Sequence, residues 1–260
     1  MARASQRKSA IFSIAVFLCL LFPSLQANAY DRSCVDRLLS SPNTFLPDRC
    51  DFTNVRLANA NLGYTNLSRL NLSGSDFSRS YLGEANLYKS NFSNSDLSQA
   101  IFTKAKLESA DFSGSDLSRA NLVGANMINA NLYGVDLTGA DMQHAVLRGV
   151  RSGSLIGVTA KLPSNWLIFR GYLVGPEANL AFANLYGVNF KGTSLRSANL
   201  NSAVLSYCDL TTTSIHGANI TNANLSNAKL NPKDSGKIVI GKPKTLPKGW
   251  RIVAGKLKHY

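Results

Sequence analysis

The feature that most constrains this chain is a large apolar residue that returns at every fifth position from Phe52 to Leu147. All twenty of these positions carry Phe, Leu or Met, and the position two residues earlier is usually small, as at Ala85, Ala110 and Ser115. A period of five matches neither the 3.6-residue period of an α-helix nor the two-residue period of a β-strand. The sequence therefore predicts a repeat architecture in which short segments stack on one another.

The repeated unit has a consensus that identifies a family. Ser-Ala-Asp-Phe-Ser at 109–113, Arg-Ala-Asn-Leu-Val at 119–123 and Gly-Ala-Asp-Met-Gln at 139–143 are examples of an Ala-(Asp/Asn)-Leu-x-x unit. With these units the chain resembles the pentapeptide-repeat proteins. The resemblance implies an all-β fold, a right-handed quadrilateral β-helix with four units per coil. It also implies that the large residue, and the small residue two positions before it, point inward.

If a coil contains four units, equivalent positions of every fourth unit stack on one face. Arg79, Gln99 and Arg119 are then expected to line up, and so are Arg69 and Lys89. The aromatic residues expected on the outside are Tyr64, Tyr88, Tyr133 and Tyr186. Short rows of charge are common by chance, so an ordinary solvated face is the favoured interpretation of these rows.

The repeats form two blocks with a break between them. The first block spans residues 51–149 and the second spans 179–231, and the step from Leu147 to Leu180 does not keep the period of five. The intervening segment, 150–178, is predicted to form a hairpin.

Its two predicted strands are Leu155-Ile156-Gly157 and Leu167-Ile168-Phe169, around a turn of Leu-Pro-Ser-Asn-Trp. This segment aligns with the C-terminal segment 232–260 when Trp166 is placed on Trp250. The sequence thus predicts a twofold duplication of a repeat block followed by a Trp hairpin module.

The N-terminal segment 1–29 is typical of an export signal. Basic residues precede an apolar run at 10–22, which is followed by the small-residue site Ala27-Asn28-Ala29. We expect cleavage after Ala29, because the apolar run is too short for the roughly 20 residues of a membrane-spanning helix; a permanent anchor is the alternative. Export places the chain in the periplasm, in the thylakoid lumen if the source is a cyanobacterium, or outside the cell.

Residues 30–50 are predicted to form a short helix that caps the first coil. Its start is marked by Ser33 with an acidic residue three positions later. Cys34 and Cys50 are candidates for a disulfide, which export permits; the alternative is a free Cys34 and a Cys50 that fills a small inward position. Cys208 occupies such an inward position without a candidate partner and is expected to be a buried small apolar residue.

Charge is concentrated at the C-terminus. Residues 30–230 contain 17 basic and 14 acidic residues, whereas residues 231–260 contain eight basic residues and one acidic residue. The residues predicted for a partner or membrane surface are Trp166, Trp250, Lys242, Lys244, Lys248 and Arg251. This basic end suits an anionic membrane or an acidic protein. Nucleic acid also fits the charge, but export argues against it. The alternative role for each Trp hairpin is structural, as the cover of an open coil.

Nothing in the sequence predicts an enzyme, a cofactor or a metal site. His144, His216 and His259 are far apart, and the many Asp residues occupy regular repeat positions. We therefore predict an exported, non-enzymatic scaffold or protein-interaction module with an unknown protein partner. The resemblance also offers a DNA-mimic protein that binds topoisomerases, which the near-neutral repeats and the export signal disfavour. A third alternative is a ligand-binding protein with a site where the two blocks meet.

Overall fold

The structure is a computed structural model that describes residues 52–157, 160–234, 237 and 239–260. The predicted signal peptide, the capping helix and the Cys34–Cys50 pair lie outside these residues, and so do positions 235, 236 and 238 of the C-terminal module. Within the described part of the chain, no helix has the length and apolar character needed to cross a bilayer.

The repeats wind into a β-helix in which four units make one coil. Parallel β-bridges join each unit to the fourth one after it, for example Asp76 to Asp96 and Asp96 to Asp116. Backbone hydrogen bonds connect the coils in both directions: Leu57 N donates to Asp76 O at 2.7 Å, and Asp76 N donates to Val55 O at 2.9 Å. The predicted stacking of every fourth unit is therefore confirmed.

Each unit turns a corner directly after its large core residue. In the unit around Leu117, the side chain of Asp116 accepts a hydrogen bond from the backbone N–H of Ser118 at 2.7 Å. Arg119 then has a φ of 57°, and Ala120 N donates to Leu117 O at 3.0 Å to close the turn. The frequent Asp and Asn before the core residue are explained by this side-chain bond, because a short acceptor side chain stabilises the turn that follows it.

The core is one large and one small side chain wide on every side of the coil. Leu122, Ala125 and their equivalents along the chain are buried, and each large apolar side chain contributes about 1.5–3 kcal/mol by its burial. Like residues stack between coils: the rings of Phe92 and Phe112 lie parallel with centroids 5.4 Å apart. Cys208 is a free, buried thiol that donates to Leu185 O, as predicted for a small inward residue.

The coil continues past the point where the sequence period fails. Strand β1 (Asn131–Tyr133) pairs in parallel with β2 (Arg151–Gly153). Ile156 and Lys161 then bridge to residues of the coil below. The prediction that residues 155–157 form one strand of the hairpin was therefore wrong, since this segment is bridged into the β-helix.

The first hairpin is instead made of β3 (Leu167–Phe169) and β4 (Tyr172–Val174), which pair antiparallel. Its turn is formed by Arg170 and Gly171, with φ angles of 48° and 75°. Gly171 O accepts a hydrogen bond from Leu155 N at 3.1 Å, so the hairpin tip is fixed at a corner of the coil below it.

The second block stacks on the first along one side of the coil. Arg151 bridges to Asn131 in the coil below and to Asn179 in the coil above. The step to Asn179 is the longer of the two in sequence, because it includes the hairpin. On the following sides the hairpin lies between the blocks: Phe169 packs edge-on against Phe190 with centroids 5.7 Å apart, and Asn184 N donates to the hydroxyl of Tyr172 at 3.4 Å.

The second block ends in a hairpin with the same structure as the first. Strands β5 (Asp209–Leu210) and β6 (Lys229–Leu230) pair in parallel. A short 3₁₀ helix (Pro232–Asp234) follows, and β7 (Trp250–Val253) pairs antiparallel with β8 (Lys256–His259). Gly255 O accepts from Val239 N at 3.0 Å. This bond reproduces the one between Gly171 and Leu155, at the positions that the alignment of the two tryptophans makes equivalent.

Candidate functional site

The strongest candidate for a functional surface is the end of the molecule formed by residues 239–260, which we name the terminal cap. Ile240 bridges to Asn219 and Thr245 bridges to Asn224, so the segment first completes part of a coil. The β7–β8 hairpin then covers the end, with Leu257 fully buried. The cap is thus anchored by backbone pairing and by an apolar contact.

A buried carboxylate completes the last coil beside the cap. Asp234 is 2% exposed; its carboxylate accepts from the backbone N–H of Ile215 at 2.9 Å and from Ser214 Oγ at 3.0 Å. In the coil before, Leu195 N makes the equivalent bond to the backbone carbonyl of Ser214 at 2.9 Å. The Asp234 side chain therefore accepts the hydrogen bond that a backbone carbonyl accepts at the equivalent position one coil earlier.

The outer surface of the cap is basic without compensation. The side chains of Lys242, Lys244, Lys248, Arg251 and Lys256 are exposed, and Asp234 is the last acidic residue of the sequence. Among the described residues, ion pairs form at Arg148–Glu177 (3.2 Å) and Lys161–Asp141 (3.4 Å), and no lysine or arginine of the cap forms one. This end of the molecule therefore presents a positive potential to solvent.

Two aromatic contacts order the cap. Trp250, which is half-buried, lies 4.9 Å from the ring of His259. The Arg251 guanidinium lies over the ring of Tyr260, 3.4 Å from its centroid. Such a contact is worth about 0.5–1 kcal/mol at an exposed site, so Arg251 is held by its aromatic neighbour rather than by an acidic partner.

Trp166 does not belong to a surface, and this prediction was wrong. It is 8% exposed, and its indole lies so close to Gly175 that a Cβ added there would clash with the ring. Phe169 and Tyr172, the other aromatic residues of this hairpin, are half-buried. The predicted surface residues Trp250, Lys242, Lys244, Lys248 and Arg251 are brought together in the cap, whereas Trp166 belongs to the internal hairpin.

The regular faces bring no reactive groups together. Asp76, Asp96, Asp116 and Asp136 stack on one side, but each uses one carboxylate oxygen to bind its own turn. In the described residues there is no group of three or more His, Cys, Asp and Glu side chains placed to hold a metal ion. Burial raises the pKa of the Cys208 thiol to about 11, which keeps it protonated and poorly nucleophilic at neutral pH.

Sequence reasoning identified only part of the exposed aromatic set. Tyr64, Tyr133 and Tyr186 are exposed as expected, but Tyr88 is half-buried. The cationic groups of Arg69 and Lys89 lie 5.9 and 5.2 Å from its ring centroid. Phe182 and Tyr207 are also exposed and were missed. Both follow their core residue by two positions, and this position in the repeat was the signal that could have revealed them.

Two family models match the sequence. The description "Pentapeptide repeat region" matches residues 48–122, and "Pentapeptide repeats (8 copies)" matches residues 115–151, 177–211 and 193–231. Together they account for both predicted blocks of repeats. No curated protein matches the chain.

Solved structures of similar proteins come from several sources. Rfr23, a pentapeptide repeat protein of the cyanobacterium Cyanothece 51142, is 26% identical; the match covers 48% of this chain and 98% of Rfr23, with a TM-score of 0.43. HetL of the cyanobacterium Nostoc sp. strain PCC 7120, involved in heterocyst differentiation regulation, is 27% identical over 73% of this chain and 86% of HetL, with a TM-score of 0.37. QnrB1, a plasmid-mediated fluoroquinolone resistance protein, is 17% identical over 74% of this chain and 92% of its own, with a TM-score of 0.37.

Proposed function

Because the chain belongs to the pentapeptide-repeat family, we propose that it is an exported, non-enzymatic scaffold whose terminal cap binds an anionic membrane surface. The observation that carries this proposal is the set of exposed basic side chains without ion pairs on the cap. The repeats supply a stiff support, and the cap supplies the contact.

The energetics favour a peripheral contact of this kind. A basic residue near an anionic lipid surface contributes about 1 kcal/mol, and this contribution falls off within a Debye length. Lys242, Lys244, Lys248, Arg251 and Lys256 all belong to one short segment at the end of the β-helix, so several of them can approach a flat surface together. Lysine chains add reach, since a flexible stem carries each charge.

Export and fold detail form part of the same proposal. The signal-like segment 1–29 supports export to the periplasm, the thylakoid lumen or the medium, and export argues against nucleic acid as the partner. We also propose that the coils are right-handed and square in cross-section, as the family resemblance implies. An experimental structure that showed left-handed coils would contradict that point.

A DNA-mimic function is not proposed, because residues 30–230 carry 17 basic and 14 acidic residues.

Vesicle co-sedimentation tests the membrane contact. The protein, recovered from its host after any processing, is mixed with vesicles of phosphatidylcholine or of phosphatidylcholine with phosphatidylglycerol. We expect binding to the anionic vesicles that weakens with salt. Changing Lys242, Lys244, Lys248 and Arg251 to Gln removes four charges and should weaken binding by about a thousandfold, at about 1 kcal/mol per charge.

A matched control removes the same charge elsewhere. Arg79, Lys89, Lys104 and Arg119 are exposed on the first block, and their change to Gln should leave most of the vesicle binding intact. Equal losses in both variants would show that only net charge matters and would contradict a role for the cap. Binding to an acidic protein with no affinity for anionic vesicles would replace the membrane by a protein partner.

A further inference from the structure

A row of aromatic side chains crosses the junction between the two blocks. It consists of Tyr133, Tyr172, Phe182, Tyr186 and Tyr207, and we name it the aromatic strip. Phe182 is 74% exposed, Tyr133 59%, Tyr207 57% and Tyr186 48%. All the exposed large apolar side chains between residues 178 and 208 belong to it.

The strip is continuous through observed contacts. A Cβ placed on Gly153 would lie 3.2 Å from the rings of both Tyr133 and Tyr172, so these rings flank one glycine. The hydroxyl of Tyr172 accepts a hydrogen bond from Asn184 N at 3.4 Å. Asn184 in turn holds the backbone of Tyr186 through its side-chain oxygen at 3.3 Å.

The second part of the strip extends onto the next coil. The rings of Tyr186 and Tyr207 lie 5.4 Å apart. Phe182 precedes Asn184 by two residues, at the corner before this side of the coil. The rings therefore cover one corner and one side of the β-helix.

Two members of the strip occupy backbone positions that bulky residues seldom take. Phe182 has a φ of 63° and Tyr207 a φ of 60°, in the left-handed region that favours Gly and Asn. The following coils carry Ser202 and Asn222 in the column of Phe182, and Asn227 follows Tyr207 in its own column. The fold therefore accepts small polar residues here, so neither ring is needed to form the coil.

The chemistry around the strip is neutral and rich in hydrogen-bonding groups. Residues 178–190 and 197–208 contain no charged side chain. Alongside Phe182 runs a ladder of amides, in which Asn199 Nδ2 donates to Asn179 Oδ1 at 3.2 Å and Asn219 Nδ2 donates to Asn199 Oδ1 at 3.4 Å. Rings and fixed amides thus lie together on two segments without charged side chains, with Lys191, Arg196 and Asp209 only at the edges of these segments.

We propose that the aromatic strip is a binding site for a neutral polysaccharide. The C–H face of a sugar ring stacks on an aromatic ring, while its hydroxyl groups form hydrogen bonds with polar groups at the edge. A neutral polymer carries no charge that would require an ionic partner. Tyrosine supplies both an apolar face and a polar tip, and the amide ladder supplies further polar groups. A regular solenoid also suits a linear polymer, since both repeat along one direction.

Retention on insoluble polysaccharides tests this site. The processed protein is passed over cellulose, chitin and starch, and its retention is compared with that of a variant carrying Phe182→Asn, Tyr186→Ser and Tyr207→Asn. Each replacement is the residue that a later coil carries in the same column. We expect at least one matrix to retain the protein and the variant to bind it at least tenfold more weakly, with an unchanged melting temperature or a higher one.

An exposed tyrosine on the first block provides the control for this experiment. Tyr64 is 65% exposed on the first block, and Tyr64→Asn should leave retention unchanged. The proposal is overturned if none of the three matrices retains the protein, or if the triple variant is retained equally well. Loss of a protein partner in the triple variant, without any polysaccharide binding by the parent, would assign the strip to protein recognition instead. Vesicle binding should be unaffected by the triple variant, which separates this site from the terminal cap.

Discussion

The two hairpins have the same backbone structure but opposite surroundings, and the difference lies on one face of each. The face directed toward the preceding coil carries the same three residue types in both: Trp166, Ile168 and Leu173 in the first, and Trp250, Ile252 and Leu257 in the second. This face packs on the end of a repeat block in each case, since both leucines are fully buried.

The opposite faces have diverged. In the first hairpin this face carries Leu167, Phe169, Tyr172 and Val174, and in the second the equivalent positions carry Arg251, Val253, Lys256 and Lys258. In the first set Phe169 and Tyr172 contact the next coil and Val174 is fully buried, although Leu167 stays partly exposed. In the second set Arg251, Val253 and Lys256 are exposed and Lys258 is half-buried. The comparison teaches that one cap serves two purposes: with an apolar outer face it becomes an internal spacer, and with a basic one it ends the molecule and discourages further stacking.

The largest effect on stability is expected when the residue types of two equivalent positions, Val174 and Lys258, are exchanged. Val174 is fully buried, so Val174→Lys would place a charge without a partner between the blocks and should cost more than about 4 kcal/mol of unfolding free energy. Lys258→Val at the equivalent position should change stability by no more than about 0.5 kcal/mol. Denaturant unfolding measures both values, and equal effects would mean that the two outer faces are not distinguished as described.

The next largest effect is expected at Trp166 and Trp250, which should differ in their contribution to the unfolding free energy. Trp166→Ala empties a site inside the structure and should cost about 3–5 kcal/mol. Trp250 is half-buried and contacts His259, so Trp250→Ala should cost clearly less. Thermal unfolding followed by circular dichroism gives the two differences. A larger loss at Trp250 would show that the terminal hairpin, rather than the junction, limits the stability of the β-helix.

Sequence reasoning was most successful where structure depends on the repeat. The inward positions of Leu122 and Cys208 follow from a period of five, because every unit meets the same neighbours one coil above and below. Trp166 was harder, since its burial depends on the close contact of its indole with Gly175 at the far end of the hairpin. No local pattern encodes that contact.

The strand assignment in the first hairpin failed for a related reason. Residues 155–157 and 167–169 both begin with Leu-Ile, and it is the pairing to the coil below or to β4 that distinguishes them. The turn of the hairpin is Arg170-Gly171, and its first residue has a positive φ. Because arginine is not a typical residue for such a φ, the sequence did not indicate the turn. The basic cap was predictable as a charge cluster, whereas the buried acceptor role of Asp234 required the structure.

Asp234 provides a test of how the β-helix ends. One coil earlier, Leu195 N donates to a backbone carbonyl, that of Ser214, whereas Ile215 N depends on the carboxylate of Asp234. Asp234→Ala would leave this buried N–H without an acceptor and should cost about 1–3 kcal/mol. Asp234→Asn retains an acceptor oxygen and should cost less. Hydrogen exchange at the Ile215 amide reports the local effect, and unchanged protection in the alanine variant would contradict the assigned role.

The smallest effect on folding, and the sharpest test of the divergence, is an exchange of the whole outer face. Arg251→Leu, Val253→Phe, Lys256→Tyr and Lys258→Val would give the terminal hairpin the face that the internal hairpin uses to hold a coil. Arg251, Val253 and Lys256 are exposed and Lys258 is half-buried, so the unfolding free energy of the monomer should change by no more than about 0.5 kcal/mol. The variant should nevertheless self-associate, because an apolar face made to be covered is then left open. Sedimentation velocity over a range of concentrations detects this association. The parent protein at the same concentrations is the control, and a variant that stays monomeric would show that the basic residues are not what keeps the end of the β-helix from stacking.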